Sequence, residues 1–296
     1  MRKLAYILVL LGLYAWPASG LAQNGAWENY MLAGNEAYRR GDYQGAEKQW
    51  TAGLRIAEQF GPDDHRLGTS LNNLAELYRA QGRYAEAEPL HKRSLAIWEK
   101  AFGPEHPQVA KSLNNLAALY DEQGRYPEAE RLYQRALGIA EKTLGTEHPQ
   151  VAASLNNLAL LYDAQGRYDE AEPLYRKALG ITRKTLGAEH PEVAASLDHL
   201  GVLYATQGKF EQAESFHRQA LEIRRMKLGP GHPLVAQSLD NYAELLMRTG
   251  RADEARRAQV LAAAIRATVA QANQAAPAAA PGKPGRPAIK RVVVPG

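Results

Sequence analysis

The chain nearly copies itself at a constant interval over most of its length. The hexapeptide Ser-Leu-Asn-Asn-Leu-Ala begins at Ser70, Ser112 and Ser154, and related hexapeptides begin at Ser196 and Ser238. A fixed period of this size is typical of one supersecondary unit per copy, in which each unit covers the apolar face of its neighbours. The repeat therefore predicts a stack of similar units, although a length of 296 residues would otherwise suggest about two globular domains.

Each unit divides at a glycine into two helical patterns. Before Gly124, apolar residues recur from Val109 to Tyr120 at spacings of three and four, and they do so again from Ala129 to Leu137. This is the period of an amphipathic α-helix and not the alternation of a strand. A glycine between the two patterns predicts a left-handed turn, where a Cβ would be penalised. We predict six antiparallel helix pairs, with turns at Gly41, Gly82, Gly124, Gly166, Gly208 and Gly250.

Glycine and proline residues predict where the helices begin and end. The second helix of a unit should end near Leu144, and the next should begin at Pro149, because glycine stops helices and proline opens them. The last helix should run from about residue 252 to residue 274. Pro89 and Pro173 fall about one turn inside their helices, where proline removes a backbone donor. This predicts either a late helix start or a slight kink.

Residues 1–22 have the pattern of a secretory signal peptide. Arg2 and Lys3 precede an apolar run from Leu4 to Trp16, and small residues follow, so we expect cleavage between Ala22 and Gln23. The alternative is an uncleaved membrane anchor, but a span needs about 20 apolar residues and this run is shorter. The sequence therefore predicts a periplasmic or secreted bacterial protein that meets the membrane only during export.

The C-terminal segment, 275–296, is predicted to be a disordered basic tail. Prolines, alanines and glycines dominate this segment and cannot bury a core. It is expected to be a solvated linker end, although contact with an anionic surface is the alternative. Its four basic residues, with Arg2 and Lys3, exceed the formal net charge of +4. The repeat region is thus slightly acidic, which argues against a nucleic-acid partner.

The residues that usually carry out chemistry do not form a site in the sequence. The chain has no cysteine, which excludes disulfides, thiolate metal ligands, a cysteine nucleophile and a lipoprotein anchor. His106, His148, His190 and His232 recur, but each belongs to a different loop between units, whereas zinc needs three or four ligands at one point. We expect these histidines to have a structural role in the turns. No catalytic residue, cofactor, metal or small-molecule substrate is predicted.

The repeat resembles a known family. The segment from Leu113 to Tyr120 reads Leu-x-x-Leu-Ala-x-x-Tyr, and the segment from Gly124 to Ala129 reads Gly-x-Tyr-x-x-Ala, as in the tetratricopeptide repeat (TPR). The long unit with Leu-Asn-Asn-Leu-Ala and Glu-His-Pro resembles the kinesin light chain type, over about residues 26–270. The resemblance implies an all-α fold, a right-handed α-solenoid over residues 23–274, whose first helices line a concave groove that binds peptides or protein segments.

The resemblance also implies which residues line this groove. The second asparagine of each Leu-Asn-Asn-Leu stretch would bond the backbone of a bound peptide, because an amide is both donor and acceptor. The first asparagine and a position one turn later would lie beside it. The alternative is that these asparagines bridge adjacent helices or are merely solvated. The groove is expected to be mixed to acidic, and its implied residues are Asn73, Asn115, Asn157, His199, Asn241, Asn72, Asn114, Asn156, Asp198, Asp240, Glu76 and Leu160.

These observations predict a function without catalysis. The chain is expected to be an exported scaffold or adaptor that binds a protein or peptide segment along its concave face. The alternative is a structural module that associates with itself through its ends or its tail. An enzyme would need one position where unrelated polar residues interrupt the repeat, and none is evident in the sequence.

Overall fold

The computed structural model describes residues 22–275, and in that range the chain is built of α-helices joined by short loops, with no strand. The predicted signal peptide and tail lie outside the described residues, apart from Ala22 and Ala275, which are helical. The helices pair into six hairpins. They are α1 (22–39), α2 (Tyr43–Ala57), α3 (His65–Ala80), α4 (Tyr84–Phe102), α5 (Pro107–Glu122), α6 (Tyr126–Leu144), α7 (Pro149–Ala164), α8 (Tyr168–Leu186), α9 (Pro191–Thr206), α10 (Phe210–Leu228), α11 (Pro233–Arg248) and α12 (Ala252–Ala275), with a 3₁₀ turn at Glu58–Phe60 after α2.

Glycine determines the turn inside each hairpin by its backbone angle. Gly166 has a φ of +73°, and the other five predicted turn glycines lie between +72° and +76°. A Cβ at Gly166 would meet no atom within 4 Å, so the left-handed φ and not a lack of space requires glycine there. The prediction of left-handed turns is confirmed.

The recurrent histidines cap helices. His148 Nδ1 accepts a hydrogen bond from the backbone N–H of Gln150 at 3.1 Å, while Pro149 opens α7. Such a cap satisfies one of the backbone donors that the first turn of a helix leaves free. His106, His190 and His232 do the same at α5, α9 and α11, and Asp64 takes this place at α3. The structural role expected of the four histidines is confirmed.

The two internal prolines do not delay their helices. α4 begins at Tyr84 and α8 at Tyr168, so Pro89 and Pro173 each follow a full turn of helix. Both therefore occupy helix interiors, and of the two predicted alternatives the late start is wrong. The helical pattern that surrounds each proline, together with packing on both neighbouring first helices, outweighs the missing backbone hydrogen bond.

In the stack of hairpins, neighbouring first helices lie closer to one another than neighbouring second helices do. Neighbouring first helices contact one another directly, from α3 to α5 and onward to α11, whereas each second helix packs between its own first helix and the next one. Among the described residues no second helix packs to that extent against another. The stack therefore curves with the first helices on the inside. Leucines, alanines and tyrosines of both helices form its core.

A polar cluster that we call the boundary clamp joins each unit to the next. Glu130 of α6 accepts a hydrogen bond from the Tyr162 hydroxyl of α7 at 3.0 Å and pairs with Arg167 at 2.8 Å. The Arg167 guanidinium lies 4.0 Å from the centre of the Tyr162 ring, within the range of a cation–π contact. Equivalent clamps consist of Glu47, Tyr78 and Arg83; Glu88, Tyr120 and Arg125; and Glu214, Tyr242 and Arg251. Between α8 and α9, Glu172 accepts from the Tyr204 hydroxyl and Lys209 lies over the Tyr204 ring, but Glu172 pairs with Arg176 of its own helix.

The last helix, α12, leaves one side open. It packs on α11 through buried alanines and Ile265, but its other faces are exposed and carry Arg256, Arg257 and Arg266. A more polar terminal helix is what a repeat stack needs at its end. None of the described helices combines the length and apolar character needed to span a membrane.

Candidate peptide-binding groove

The inner face of the stack carries the predicted row of asparagines. Asn73, Asn115, Asn157 and Asn241 occupy equivalent positions on α3, α5, α7 and α11, and all four are half-buried. Their repetition places one amide per unit along the concave surface. Such a row can bond an extended backbone whatever its side chains are, because each amide offers a donor and an acceptor.

Two of the asparagines also bridge neighbouring first helices. Asn115 donates from Nδ2 to Asn72 Oδ1 at 2.8 Å, and Asn114 donates to Ser154 Oγ at 3.0 Å. These contacts agree with the alternative in which the amides hold adjacent helices together. A ligand at α5 must therefore share the Asn115 amide with Asn72.

The remaining amides of the row are freer. Asn157 and Asn241 form no side-chain hydrogen bond within residues 22–275, and Asn73 has only a long contact of 3.8 Å from Nδ2 to Met31 Sδ. Asn156 is half-buried, and its Oδ1 is buried without a hydrogen-bond partner in the described part of the chain. The unpaired, half-buried amides of Asn157 and Asn241 are available to a bound chain, whereas the buried Oδ1 of Asn156 is not.

Asp198 departs from the predicted set. It is only 3% exposed, and its carboxylate accepts hydrogen bonds from Arg224 at 2.7 Å and Ser238 at 2.8 Å and contacts His217 Nδ1 at 3.0 Å. These partners surround both oxygens, so Asp198 does not reach the open groove. Its equivalent Asp240 pairs with Arg266 but stays more exposed, because no further unit covers it.

The Asp198 cluster interrupts the repeat in a way that sequence analysis missed. His217, Arg224 and Gly201 stand where the preceding unit has Tyr175, Thr182 and Ala159. A Cβ on Gly201 would lie 2.7 Å from the His217 ring, so the glycine makes room for the imidazole. The available signal was that these departures from the repeat occur in one unit, although they are distant in sequence.

His199 on α9 and Glu76 on α3 are two further residues of the predicted groove. The His199 ring lies against Tyr175, with centroids 5.4 Å apart, and burial lowers the pKa of His199. Glu76 pairs with Arg79 at 2.9 Å and lies 3.5 Å from Nε2 of buried His91. Burial lowers the pKa of His91 to about 4, so its imidazole is neutral near pH 7. Leu160 on α7 is 40% exposed and offers an apolar contact.

A cleft on this face was also missed. It opens between α3 and α5, has a volume of about 160 Å³, and lies beside Asn73 and Asn115. Trp98 and Lys111 line it, at positions where the next unit has Ala140 and Ala153. Their departure from the repeat was the signal that could have found it. No group of three or more metal-ligating side chains occurs in the described chain.

Comparisons with known proteins agree with this architecture. The sequence matches the Tetratricopeptide repeat family over residues 27–91, 67–142, 122–184 and 150–226, and a second form of the same repeat matches residues 236–258. The chain therefore belongs to the tetratricopeptide-repeat family, as its repeat predicts. The fold is an all-α solenoid of tetratricopeptide-repeat hairpins, an architecture of protein–protein interaction scaffolds. A search of curated protein sequences found no match.

Several solved structures are similar to this chain. A Podosopora anserina protein of the kinesin light chain type, with nearly identical TPR-like repeats, is 33% identical with a TM-score of 0.56, covering 69% of this chain and 96% of that chain. BtubC (BKLC) from P. vanneervenii is 23% identical with a TM-score of 0.59, covering 93% and 99%. A Rap protein complexed with Competence and Sporulation Factor is 15% identical with a TM-score of 0.59, covering 83% and 76%. The last two likenesses show the fold alone.

Proposed function

We propose that this chain is an exported, non-catalytic scaffold that binds an extended protein or peptide segment along the concave face of its solenoid. The observation that carries the proposal is the row of amides on successive first helices, of which Asn157 and Asn241 form no side-chain hydrogen bond within the described residues. The Rap protein, a more distant likeness, is itself seen with a bound factor, which supports this use of the fold.

The apolar segment at the start of the sequence supports export. The repetition of the sequence supports a function without catalysis. A positively charged start, the apolar run from Leu4 to Trp16 and small residues up to Ala22 favour a cleaved signal peptide. The mature chain would then begin at Gln23, and its partner would be a periplasmic or extracellular polypeptide. The Asp198–His217 contact is buried inside the stack.

The amides hold a bound peptide in register with the repeat, and the rest of the groove provides most of the binding free energy. A typical hydrogen bond nets about 1 kcal/mol, so two lost bonds cost about 2 kcal/mol, or about 30-fold in affinity. Micromolar binding needs about 8 kcal/mol. Apolar contacts such as the exposed part of Leu160 must therefore contribute the difference.

Replacing Asn115 and Asn157 together with alanine tests the proposal. The mature chain would be used as bait for a periplasmic extract, with retained proteins quantified by mass spectrometry. We expect the double variant to retain its partner at least tenfold less well, because two amides that bond the partner's backbone are gone. Circular dichroism should show unchanged helicity.

The matched control lies on the exposed side of α10, where Gln219 and Glu222 are replaced together by alanine. This control should retain the partner as well as the unaltered chain does. Equal retention by the asparagine variant would contradict the proposal, because the inner face would then not be the binding surface.

A further inference from the structure

The cleft between α3 and α5, here called the α3–α5 cleft, is built from both helices and from the neighbouring second helix α4. Its volume of about 160 Å³ is enough for one side chain of moderate size. Its floor and walls include Thr69, Asn73, Trp98, Gln108, Lys111 and Ser112. It therefore opens on the same face as the row of amides.

At this boundary one asparagine turns differently from its equivalent in the next unit. One unit later, Asn114 donates to Ser154 Oγ at 3.0 Å. Between α3 and α5 the equivalent Asn72 instead accepts from Asn115 at 2.8 Å. Ser112, the equivalent of Ser154, is 4% exposed, and its Oγ has no hydrogen-bond partner in residues 22–275. A buried hydroxyl without a partner costs free energy that a ligand can recover.

Trp98 gives the cleft an apolar wall. Its indole N–H already donates to Ser94 Oγ at 3.1 Å, and its ring stacks on Phe102 with centroids 5.6 Å apart. The tryptophan therefore has no free donor for a ligand. It contributes a rigid hydrocarbon surface, and the polar recognition falls to the α3 and α5 side chains.

The cleft has a positive charge and no negative one. Lys111 is its one charged lining residue, and it forms no ion pair within the described chain. The equivalent positions in the other units are Thr69, Ala153, Ala195 and Gln237, so the cation occurs once along the row. Elsewhere the predicted groove residues are neutral or acidic. A ligand group that can use Lys111, the Ser112 hydroxyl and the Gln108 amide together is a carboxylate.

We propose that the α3–α5 cleft binds the carboxylate side chain of one Asp or Glu residue in the bound peptide and thereby fixes the register of that peptide. The inference rests on the proposed function and deepens it. Near-identical units present equally spaced amides, so a peptide held only through its backbone can bind in several registers. A single cleft that accepts a carboxylate makes one register more stable than the others.

The test uses random dodecapeptides displayed on phage and selected against the mature chain. Selected sequences should share an acidic residue at one position relative to the rest of their common pattern. A synthetic peptide with Glu at that position should bind about tenfold more tightly than its Gln analogue. With Lys111→Gln this ratio should fall to about one, and with Ser112→Ala it should fall by about threefold.

Lys177→Gln, on the side of α8 away from the groove, is the matched control and should leave the tenfold ratio unchanged. Peptides that are selected and depend on Asn115 and Asn157 but show no acidic preference would overturn the register inference alone. A preference that survives Lys111→Gln would also overturn it. If no peptide is selected, or if binding ignores the two asparagines, the proposed function fails as well.

Discussion

Glu130 bonds both Tyr162 and Arg167 of the next unit, so the stability of the boundary clamp depends on this one side chain. The hydrogen bond from Arg167 lowers the pKa of Glu130, with a further contribution from the Tyr162 hydroxyl. A carboxyl group with a lowered pKa in the folded state stabilises that state above its ordinary pKa, and this contribution is lost as the pH falls through the folded value. The pKa values of Glu172 and Glu214 are also lowered, mainly by hydrogen bonds from Tyr204 and Tyr242 of the following units, so acid should loosen several boundaries together.

We expect Glu130→Gln to lower the free energy of unfolding by about 1 kcal/mol, because the amide keeps the shape but loses the charge-assisted hydrogen bonds. Urea denaturation at pH 7 measures the loss. The difference between Glu130→Gln and the unaltered chain should shrink as the pH falls below the ordinary pKa of glutamate, where the native carboxylate also becomes protonated.

Glu170→Gln is the matched control, because Glu170 pairs with the same Arg167 at 2.6 Å but lies in the same unit and is largely exposed. Its denaturation midpoint should not change. An unchanged free energy of unfolding in Glu130→Gln would mean that the clamp does not stabilise the boundary, and an equal loss in both variants would mean that it contributes no more than an exposed ion pair within one hairpin.

Single residues differ in how far the sequence alone could predict them. The turn at Gly166 and the cap at His148 depend on neighbours within a few positions, so a local pattern predicts them. The core position of Tyr162 also follows from helical spacing. The bond from its hydroxyl to Glu130 joins residues 32 positions apart, and only the packing angle of two hairpins brings them within 3.0 Å.

Pro173 shows how packing outweighs local preference within a helix. α8 continues from Pro173 as far as Leu186, although proline removes the hydrogen bond to the carbonyl four residues earlier. The equivalent residues in α6 and α10 are Arg131 and Ser215, so the fold does not require a proline there. The apolar face of α8, which packs on α7 and α9, explains why the helix starts at Tyr168 regardless.

Replacing Pro173 with alanine should stabilise the chain by about 1–2 kcal/mol, because an interior proline costs about 3 kcal/mol and its loss returns about 1 kcal/mol of entropy to the unfolded chain. Pro173 is exposed, so the substitution does not disturb the core. Thermal unfolding measures the gain. Ser215→Ala at the equivalent position of α10 should change stability far less, and an unchanged melting temperature for Pro173→Ala would show that the helix is already relaxed around the proline.

The whole stack behaves as a one-dimensional array, in which stability is the sum of unit and boundary contributions. The constant period of the repeat predicts this architecture because it depends on sequence spacing alone. The α3–α5 cleft and the Asp198 cluster were not predicted, since each arises from several departures from the repeat that are distant in sequence. Those of the cleft meet across a boundary, whereas those of the Asp198 cluster lie within the fifth unit and contact the sixth through Ser238. Asp198 and Arg224 form an almost fully buried ion pair within the fifth unit, and both bond Ser238 of the sixth, so the boundary between these units depends on that pair.

Asp198→Asn should therefore destabilise one end of the molecule and not the rest. Removing one partner of a buried ion pair costs about 3–5 kcal/mol, because the other charge stays buried. Hydrogen exchange should become faster in α11 and α12, while the amides of α5 to α8 keep their protection. Asp240→Asn, which breaks the equivalent exposed pair with Arg266, is the matched control and should leave exchange unchanged.

A compensated variant separates the charge from the packing. Asp198→Asn combined with Gly201→Ala, His217→Tyr and Arg224→Thr gives this boundary the residues of the preceding unit, namely Asn156, Ala159, Tyr175 and Thr182. Replacing a buried ion pair by matched neutral packing is often neutral or stabilising, so protection of α11 and α12 should return. A uniform loss of protection from α3 to α12 in Asp198→Asn would contradict the array description, because the hairpins would then unfold as one cooperative body.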